Sequence, residues 1–274
     1  MGRSKIKIPK QLLIQLYQKQ KLSPYKIENL LNCSFSTISN RLKEHGIPRR
    51  TKAQAQMRYP KKDFDGDGIE KSYLIGFRLG DLNVYIPSKN SEIVVARCHT
   101  TDRAQVRLME QLFSRYGQVS LSQSRYGWNI NCFLNKSFLF LLPKQDKVEN
   151  RIKKDRKCCR AFAAGYIDAE GNFILNQGKA RFKIDSYDKG ILKWMYNWCR
   201  NNHIRSKLRL IVSKNNLKWG QVFKQNLWRI NVNEAHSILR LLKLIFPYLK
   251  HPTRVRQALL MRQNIINRRN KKTI

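Results

Sequence analysis

Apolar residues along this chain follow two rhythms, one at helical spacing and one of strict alternation. Near the start, Leu12, Leu13, Leu16 and Tyr17 share one helix face. Ser23-Pro24 offers an N-cap followed by proline at the first helical position, which predicts a second helix through Ile27, Leu30 and Leu31. After the compact turn Asn32-Cys33-Ser34, a third helix is expected to begin near Ser34–Ser36 and to reach His45, with Gly46 as its stop. Ile38 and Leu42, four residues apart, turn inward there and leave Thr37, Asn40, Arg41 and Lys43 outward. Farther along, alternation takes over: Phe182 and Ile184 against Arg181 and Lys183, then Leu208, Leu210 and Val212 against Lys207 and Arg209. Trp228, Ile230 and Val232 alternate in the same way with Arg229 and Asn231. Strands of this kind bury one face and leave the other cationic and hydrogen-bonding.

The second part of the chain repeats itself. Tyr73–Asp81 is echoed by Phe162–Glu170, offset by 89 residues. Thr101-Asp102-Arg103, with Met109 downstream, is echoed by Tyr187-Asp188-Lys189 and Met195. Trp128-Asn129-Ile130-Asn131 is echoed by Trp228-Arg229-Ile230-Asn231. Three correspondences in one order imply a duplicated unit of about 85–115 residues, which is domain size and too long for a solenoid repeat. Each copy reads helix, two strands, helix, two strands, helix. Copy one is the less basic: Ser120, Ser122, Asn129 and Asn131 occupy its polar face, and Arg97 joins them as a candidate contact.

Composition narrows the class of partner. With 55 Lys and Arg against 18 Asp and Glu, the 274 residues carry a formal charge of +37, yet 42% are hydrophobic, enough to build cores. That combination points to a polyanion, and nucleic acid suits it better than a membrane. No apolar run approaches the ~20 residues of a membrane span, and no apolar h-region follows the basic N-terminus. A cytoplasmic, nucleoid-associated or organellar-matrix location is the matching expectation. The six cysteines include no C-x-x-C pair and read as reduced, packed thiols.

Charge is most one-sided in residues 1–62, where fifteen basic residues face two acids. The three-helix pattern there resembles a helix-turn-helix module, whose last helix enters the DNA major groove, with Arg49-Arg50-Thr51-Lys52 as phosphate contacts. Asp63-Phe64-Asp65-Gly66-Asp67-Gly68 opens like a calcium loop, but Leu74 stands where the closing Glu belongs. Residues 63–71 therefore read as an acidic, Gly-rich linker between modules. Copy one is expected over 72–155 and copy two over 156–274.

The repeated helices carry the candidate chemistry. Gly76-x-x-x-Gly80 and Gly165-x-x-x-Ala169 put small residues one turn apart, so that two facing backbones can approach closely. Each helix then ends in a carboxylate, Asp81 or Glu170. Packed together, the helices bring both acids to one end of the seam, where like charges repel and a divalent cation resolves the conflict.

On these residues the chain resembles the LAGLIDADG homing endonucleases. Ala163–Gly171 is similar to their signature nonapeptide, and Leu74–Leu82 to a looser copy; the likeness extends over about residues 72–260. The family's metal-binding acid falls on Asp81 and Glu170. Its sixth-position acid is kept as Asp168 but replaced by Leu79, and its closing glycine is kept as Gly171 but becomes Leu82. The resemblance implies an α+β fold of two pseudo-symmetric αββαββα halves in one monomeric chain. Their sheets form a saddle over double-stranded DNA, here with an added helix-turn-helix module. It implies Mg²⁺ or another divalent cation such as Mn²⁺, and hydrolysis of one phosphodiester per strand. Basic residues assisting at the site are sought where the last helix of each copy begins, Lys144 or Lys147 and Lys250 or Arg254. Arg181, Lys183, Lys207, Arg209, Arg229 and Asn231 would read one half-site, and the Ser/Asn set of copy one the other. Two alternatives share the scaffold: a non-cleaving DNA-binding regulator, and a maturase acting on intron RNA.

Overall fold

A computed structural model describes residues 7–20, 22–50 and 60–271. The chain divides into two compact units, Met1–Pro60 and Lys61–Ile274.

Among the described residues of the first unit, the regular structure is all helical. Helix α1 (Lys10–Leu13) continues into a π-helical stretch, Ile14–Lys19, followed by α2 (Pro24–Leu31) and α3 (Phe35–Glu44). The Ser23 hydroxyl accepts from Lys26 N and the Ser34 hydroxyl from Thr37 N, so each serine satisfies a donor that the helix start leaves open. Asn32 closes α2 in the left-handed conformation, and Gly46 follows α3 at φ +64°. Leu13, Leu16, Tyr17, Ile27, Ile38, Leu42 and Ile47 bury together as its core.

In the second unit, copy one comprises α4 (Gly68–Asp81), β1 (Asn83–Tyr85), β2 (Ile93–Thr100), α5 (Arg103–Phe113), β3 (Gln118–Ser124), β4 (Gly127–Asn135) and a 3₁₀ turn, Lys136–Leu141. The short α6 (Asn150–Lys154) leads into copy two. This comprises α7 (Arg156–Glu170), β5 (Gly171–Asn176), β6 (Lys179–Ser186), α8 (Lys189–Asn201) and β7 (Lys207–Val212). A small hairpin of β8 (Leu217–Lys218) and β9 (Gln221–Val222) comes next, then β10 (Leu227–Val232), α9 (Ala235–Ile245), the 3₁₀ turn Phe246–Tyr248 and α10 (Pro252–Asn270). The two sheets are antiparallel with matching orders, β1-β2-β4-β3 and β5-β6-β10-β7. The α+β architecture read from the sequence is therefore present, and both copies share one contiguous core.

That core is centred on α4 and α7, which run side by side in the same direction. A Cβ placed on Gly76 would lie 2.2 Å from the Phe162 carbonyl oxygen, and one on Gly165 would lie 2.1 Å from that of Tyr73. Only glycine permits backbones this close. One turn on, Gly80 faces Ala169 and Glu170. Arg78 pins the end of α4: its buried guanidinium donates to the Leu141 carbonyl (2.8 Å) and to that of Leu82.

The linker expected over 63–71 is corrected. Lys62 N donates to the Tyr116 carbonyl and Phe64 N to the Ser137 hydroxyl, while the Phe64 ring packs among Tyr116, Phe138 and Phe140. Asp67 caps α4 through Ile69 N and Glu70 N, so the motif helix begins at Gly68, four residues before the expected start of the copy. The three aspartates of this segment serve three separate partners: Asn135 for Asp63, Tyr116 for Asp65 and the helix start for Asp67. Apolar burial of Phe64 outweighs the local turn chemistry on which the linker reading rested.

Gly165→Ala is expected to force α4 and α7 apart, at a cost of about 1–3 kcal/mol or more. The melting temperature should then fall by roughly 2–4 °C per kcal/mol for a unit of this size. Calorimetry of the purified variant checks this; an unchanged transition would show a seam looser than described.

Candidate metal and nucleic-acid site

The paired small residues bring Asp81 and Glu170 to the same end of the seam. Asp81 lies on the rim with part of its surface open, but protein crowds the rest of its carboxylate, and burial raises it to about 6. Gln105, a buried side chain on α5, donates to Asp81 Oδ2 at 2.9 Å and opposes that rise. Burial likewise raises Glu170, to about 7, with the charges of Asp81 and Asp188 adding to it. Lys144 and Arg254 pull both acids back down.

Those two cations come from opposite copies, and each is delivered by a crossed contact. The tail of copy one places Asp146 at the start of α8, where its two carboxylate oxygens accept from Gly190 N (2.7 Å) and Ile191 N (2.8 Å). That anchorage sets Lys144 beside the acids. In the reverse direction, Thr253 at the start of α10 donates to Asp102 Oδ2 (3.2 Å), the N-cap of α5. Arg254 follows directly. Lys147 and Lys250 are not among the cations acting on the acids: Lys250 gives its backbone N–H to Asp168 and rests its ammonium over the Tyr73 ring.

Asp168 belongs to the framework of the seam. Fully buried, it accepts from Tyr73 OH (2.7 Å), Lys250 N (2.7 Å) and His251 N (3.1 Å) through one oxygen, so it ties copy one's motif helix to copy two's tail. Burial raises it to about 6. Leu79, its counterpart, packs in the core.

Among the described residues no cluster of three or more His, Cys, Asp or Glu side chains forms a metal cage. Two hard carboxylates at a partly open rim are nonetheless a fitting donor set for Mg²⁺, which is commonly held by one or two carboxylates plus phosphate and water oxygens. The charge of Asp81 that adds to the rise of Glu170 is what such a cation would offset.

The strand registers place the expected reading residues on one face of each sheet. In copy two, Asn231 pairs with Lys183 and Lys207, and Arg229 with Asp185 and Arg209. Asp185 was missed by the sequence reading, although it shares the parity of Arg181 and Lys183. It holds Arg229 in a two-pronged ion pair (Nη2 to Oδ2, 2.6 Å) and lies 3.6 Å from the Lys183 ammonium. Arg181 donates to the Asn233 carbonyl and Asn231 is buried, so Lys207 and Arg209 are the most exposed of the six. In copy one, Arg97 pairs with Asn131, Asn131 with Ser120, and Asn129 with both His99 and Ser122. His99 thus joins that face.

In the helical unit, Asn40 and Lys43 are exposed on α3, Thr37 is half-buried, and Arg41 is ion-paired with Glu44. Of the expected phosphate contacts, Arg49 is exposed. Arg50 instead lays its guanidinium over Tyr17 and bonds the Leu22 carbonyl, and Thr51 and Lys52 lie outside the described residues.

No family model and no curated protein matches the chain. Among solved structures, I-DmoI in complex with DNA and calcium is similar at a TM-score of 0.50 and 15% identity, over 69% of this chain and 95% of that one. The homing endonuclease I-WcaI bound to its DNA recognition sequence gives 0.47 and 12%, over 67% and 83%. Full-length DUF199/WhiA from Thermotoga maritima gives 0.47 and 14%, over 76% and 63%. The first of these shows a shared fold.

All three raised acids bind protons more tightly in the folded than in the unfolded chain. Their contribution to stability is complete below the ordinary carboxylate range and lost as pH rises through about 6–7. Glu170→Gln should therefore be more stable than the parent at pH 8, by roughly 1–3 kcal/mol, and equally stable at pH 4. Taking the difference between the two proteins cancels the opposite contribution of His251, which burial lowers to about 4. Thermal melts in chelator check it; a pH-independent difference would place the ionisation elsewhere.

Proposed function

We propose, from the LAGLIDADG homing-endonuclease fold that this chain shares with I-DmoI, that it is a site-specific, divalent-metal-dependent double-strand DNA endonuclease. One observation carries the reading. Two acids from equivalent helix ends meet at a single rim, with one cation from the tail of each copy drawn to them. A metal-binding protein needs the acids alone; Lys144 and Arg254 add what a phosphoryl-transfer site requires.

Asp81 and Glu170 would hold Mg²⁺ or Mn²⁺, which when bound supplies Lewis-acid activation of the phosphodiester and of water. Lys144 and Arg254 stabilise the negative charge that grows on the phosphoryl oxygens. Gln105 holds the Asp81 carboxylate in place, and the crossed contacts of Asp146 and Thr253 hold the two cations. The sheet faces carry Lys207, Arg209, Arg97 and the Ser/Asn rows toward base edges, where each good bidentate contact is worth about 1–3 kcal/mol of discrimination. The helical unit adds a second grip through Asn40, Lys43 and Arg49.

Cutting of plasmid carrying the native locus, with Mg²⁺ present, tests the proposal. Asp81→Asn and Glu170→Gln are each expected to abolish cleavage while binding persists, and Lys144→Ala or Arg254→Ala to slow it by about 10²–10³-fold. Undiminished cutting by either acid variant would overturn the assignment. Tight binding without cutting by the parent would favour the regulator, and action on intron RNA the maturase. Deleting residues 1–60, which hold thirteen basic residues and two acids, should weaken DNA binding. The salt dependence should fall by a slope of about 0.9 per lost phosphate contact, with cleavage retained at high protein concentration. Footprinting and a salt titration of both forms check this.

A further inference from the structure

The outer edge of copy two holds a cleft of about 890 Å³ that the proposed reading face does not account for. Arg200 from α8, the loop His203–Ser206, Lys207 from β7, and Asn231 and Asn233 from β10 and its end line it. Asn231 is only 7% exposed, and its Oδ1 has no hydrogen-bond partner. An amide so buried is costly unless something completes it. A half-turn of the carboxamide exchanges its oxygen for its NH₂, so the orphaned position serves a donor as readily as an acceptor. Glu234 also borders the cleft, but its carboxylate is engaged by Arg205 (3.6 Å) and by the Ser237 hydroxyl (2.5 Å). Arg200, Lys207 and His203 are left facing the space with it.

The internal duplication indicates what such a place receives. Ser120 and Asn131 pair in copy one as Lys207 and Asn231 do in copy two, so the loop between α5 and β3 is the counterpart of the loop between α8 and β7. In copy one this corner is covered by the chain's own segment Lys61–Asp65. There Asp65 accepts from Tyr116 OH (3.0 Å) with Arg115 3.5 Å away, and Asp63 accepts from Asn135 at the end of β4 (2.7 Å). Copy one thus receives anionic groups from within. In copy two the segment before the motif helix forms α6 and packs on α7 instead, which leaves a more cationic corner open.

We propose that this cleft is an anion subsite that seats a phosphate group. On the reading of the protein as a DNA-cutting enzyme, that phosphate belongs to the backbone of the bound duplex, on the copy-two side only. Lys207 and Asn231 are shared between the cleft and the sheet face, so the groove of one is continuous with the other. A phosphate fits the lining: three cationic or hydrogen-bonding side chains at the mouth and a carboxamide donor at the floor.

Two measurements on the full chain decide it. First, pyrophosphate is titrated while the His203 ring signals are followed by NMR. A saturable shift is expected, weakened at least fivefold in Arg200→Gln, and no shift overturns the subsite. Second, the salt dependence and footprint on duplex carrying the native locus are compared for the parent and the Arg200→Gln/His203→Gln double variant. A slope lower by about 0.9 and a footprint shortened on one side only identify the duplex as the source of the phosphate. Pyrophosphate binding with unchanged slope and footprint overturns that source and assigns the cleft to a free phosphate-bearing ligand. Should the parent not bind duplex at all, the endonuclease reading falls, while the pyrophosphate titration still judges the cleft.

Discussion

Backbone lies directly on backbone where Gly76 and Gly165 cross, and the rest of the second unit is arranged around that contact. Glycine in a helix interior costs up to about 1 kcal/mol relative to alanine, so a seam with one on each helix is unfavourable until the helices meet. Once they do, the missing Cβ atoms allow dispersion contacts along the whole interface that no larger residue would permit. The same closeness carries Gly80 against Ala169 and Glu170 and brings two carboxylates to one rim. Their elevated proton affinity follows from position: burial raises both, and the charges of Asp81 and Asp188 add to the rise of Glu170.

Holding that rim together requires each copy to brace the other. Asp146 caps the α8 start from copy one's tail, Thr253 bonds Asp102 from copy two's tail, and Asp168 gathers Tyr73 with the backbone of Lys250 and His251. Each of these contacts sets where a motif acid or one of the cations beside it stands. Lys144 and Arg254 reach the acids because the segments carrying them are anchored across the pseudo-symmetry.

The halves are alike in topology and different in charge. Copy one presents serines, asparagines, Arg97 and His99; copy two presents Lys207 and Arg209, with Arg229 and Lys183 tempered by Asp185. Copy one closes its outer corner with its own leading segment, and copy two leaves the corresponding corner open. On the proposed endonuclease reading, such an asymmetric surface suits a non-palindromic site, since identical halves can recognise only identical half-sites.

Much of this was legible in the chain because it depends on local periodicity. Alternating residues had to form strands with one apolar face, the Ser23-Pro24 cap had to start a helix, and a small-residue repeat ending in acids had to pack at a seam. Each of those inferences uses residues within a few positions of one another. The contacts read wrongly or missed were long-range. Phe64 was hidden inside a segment that looked like a linker, because its partners Phe138 and Phe140 lie more than seventy residues away. Arg229 and Asp185 meet only when β6 and β10 come into register. The choice of Lys144 and Arg254 over Lys147 and Lys250 rested on anchors in the opposite copy. Local spacing determines which face of an element is buried; which distant side chain then claims a charge is decided by burial and register, and these exist only once the chain has folded.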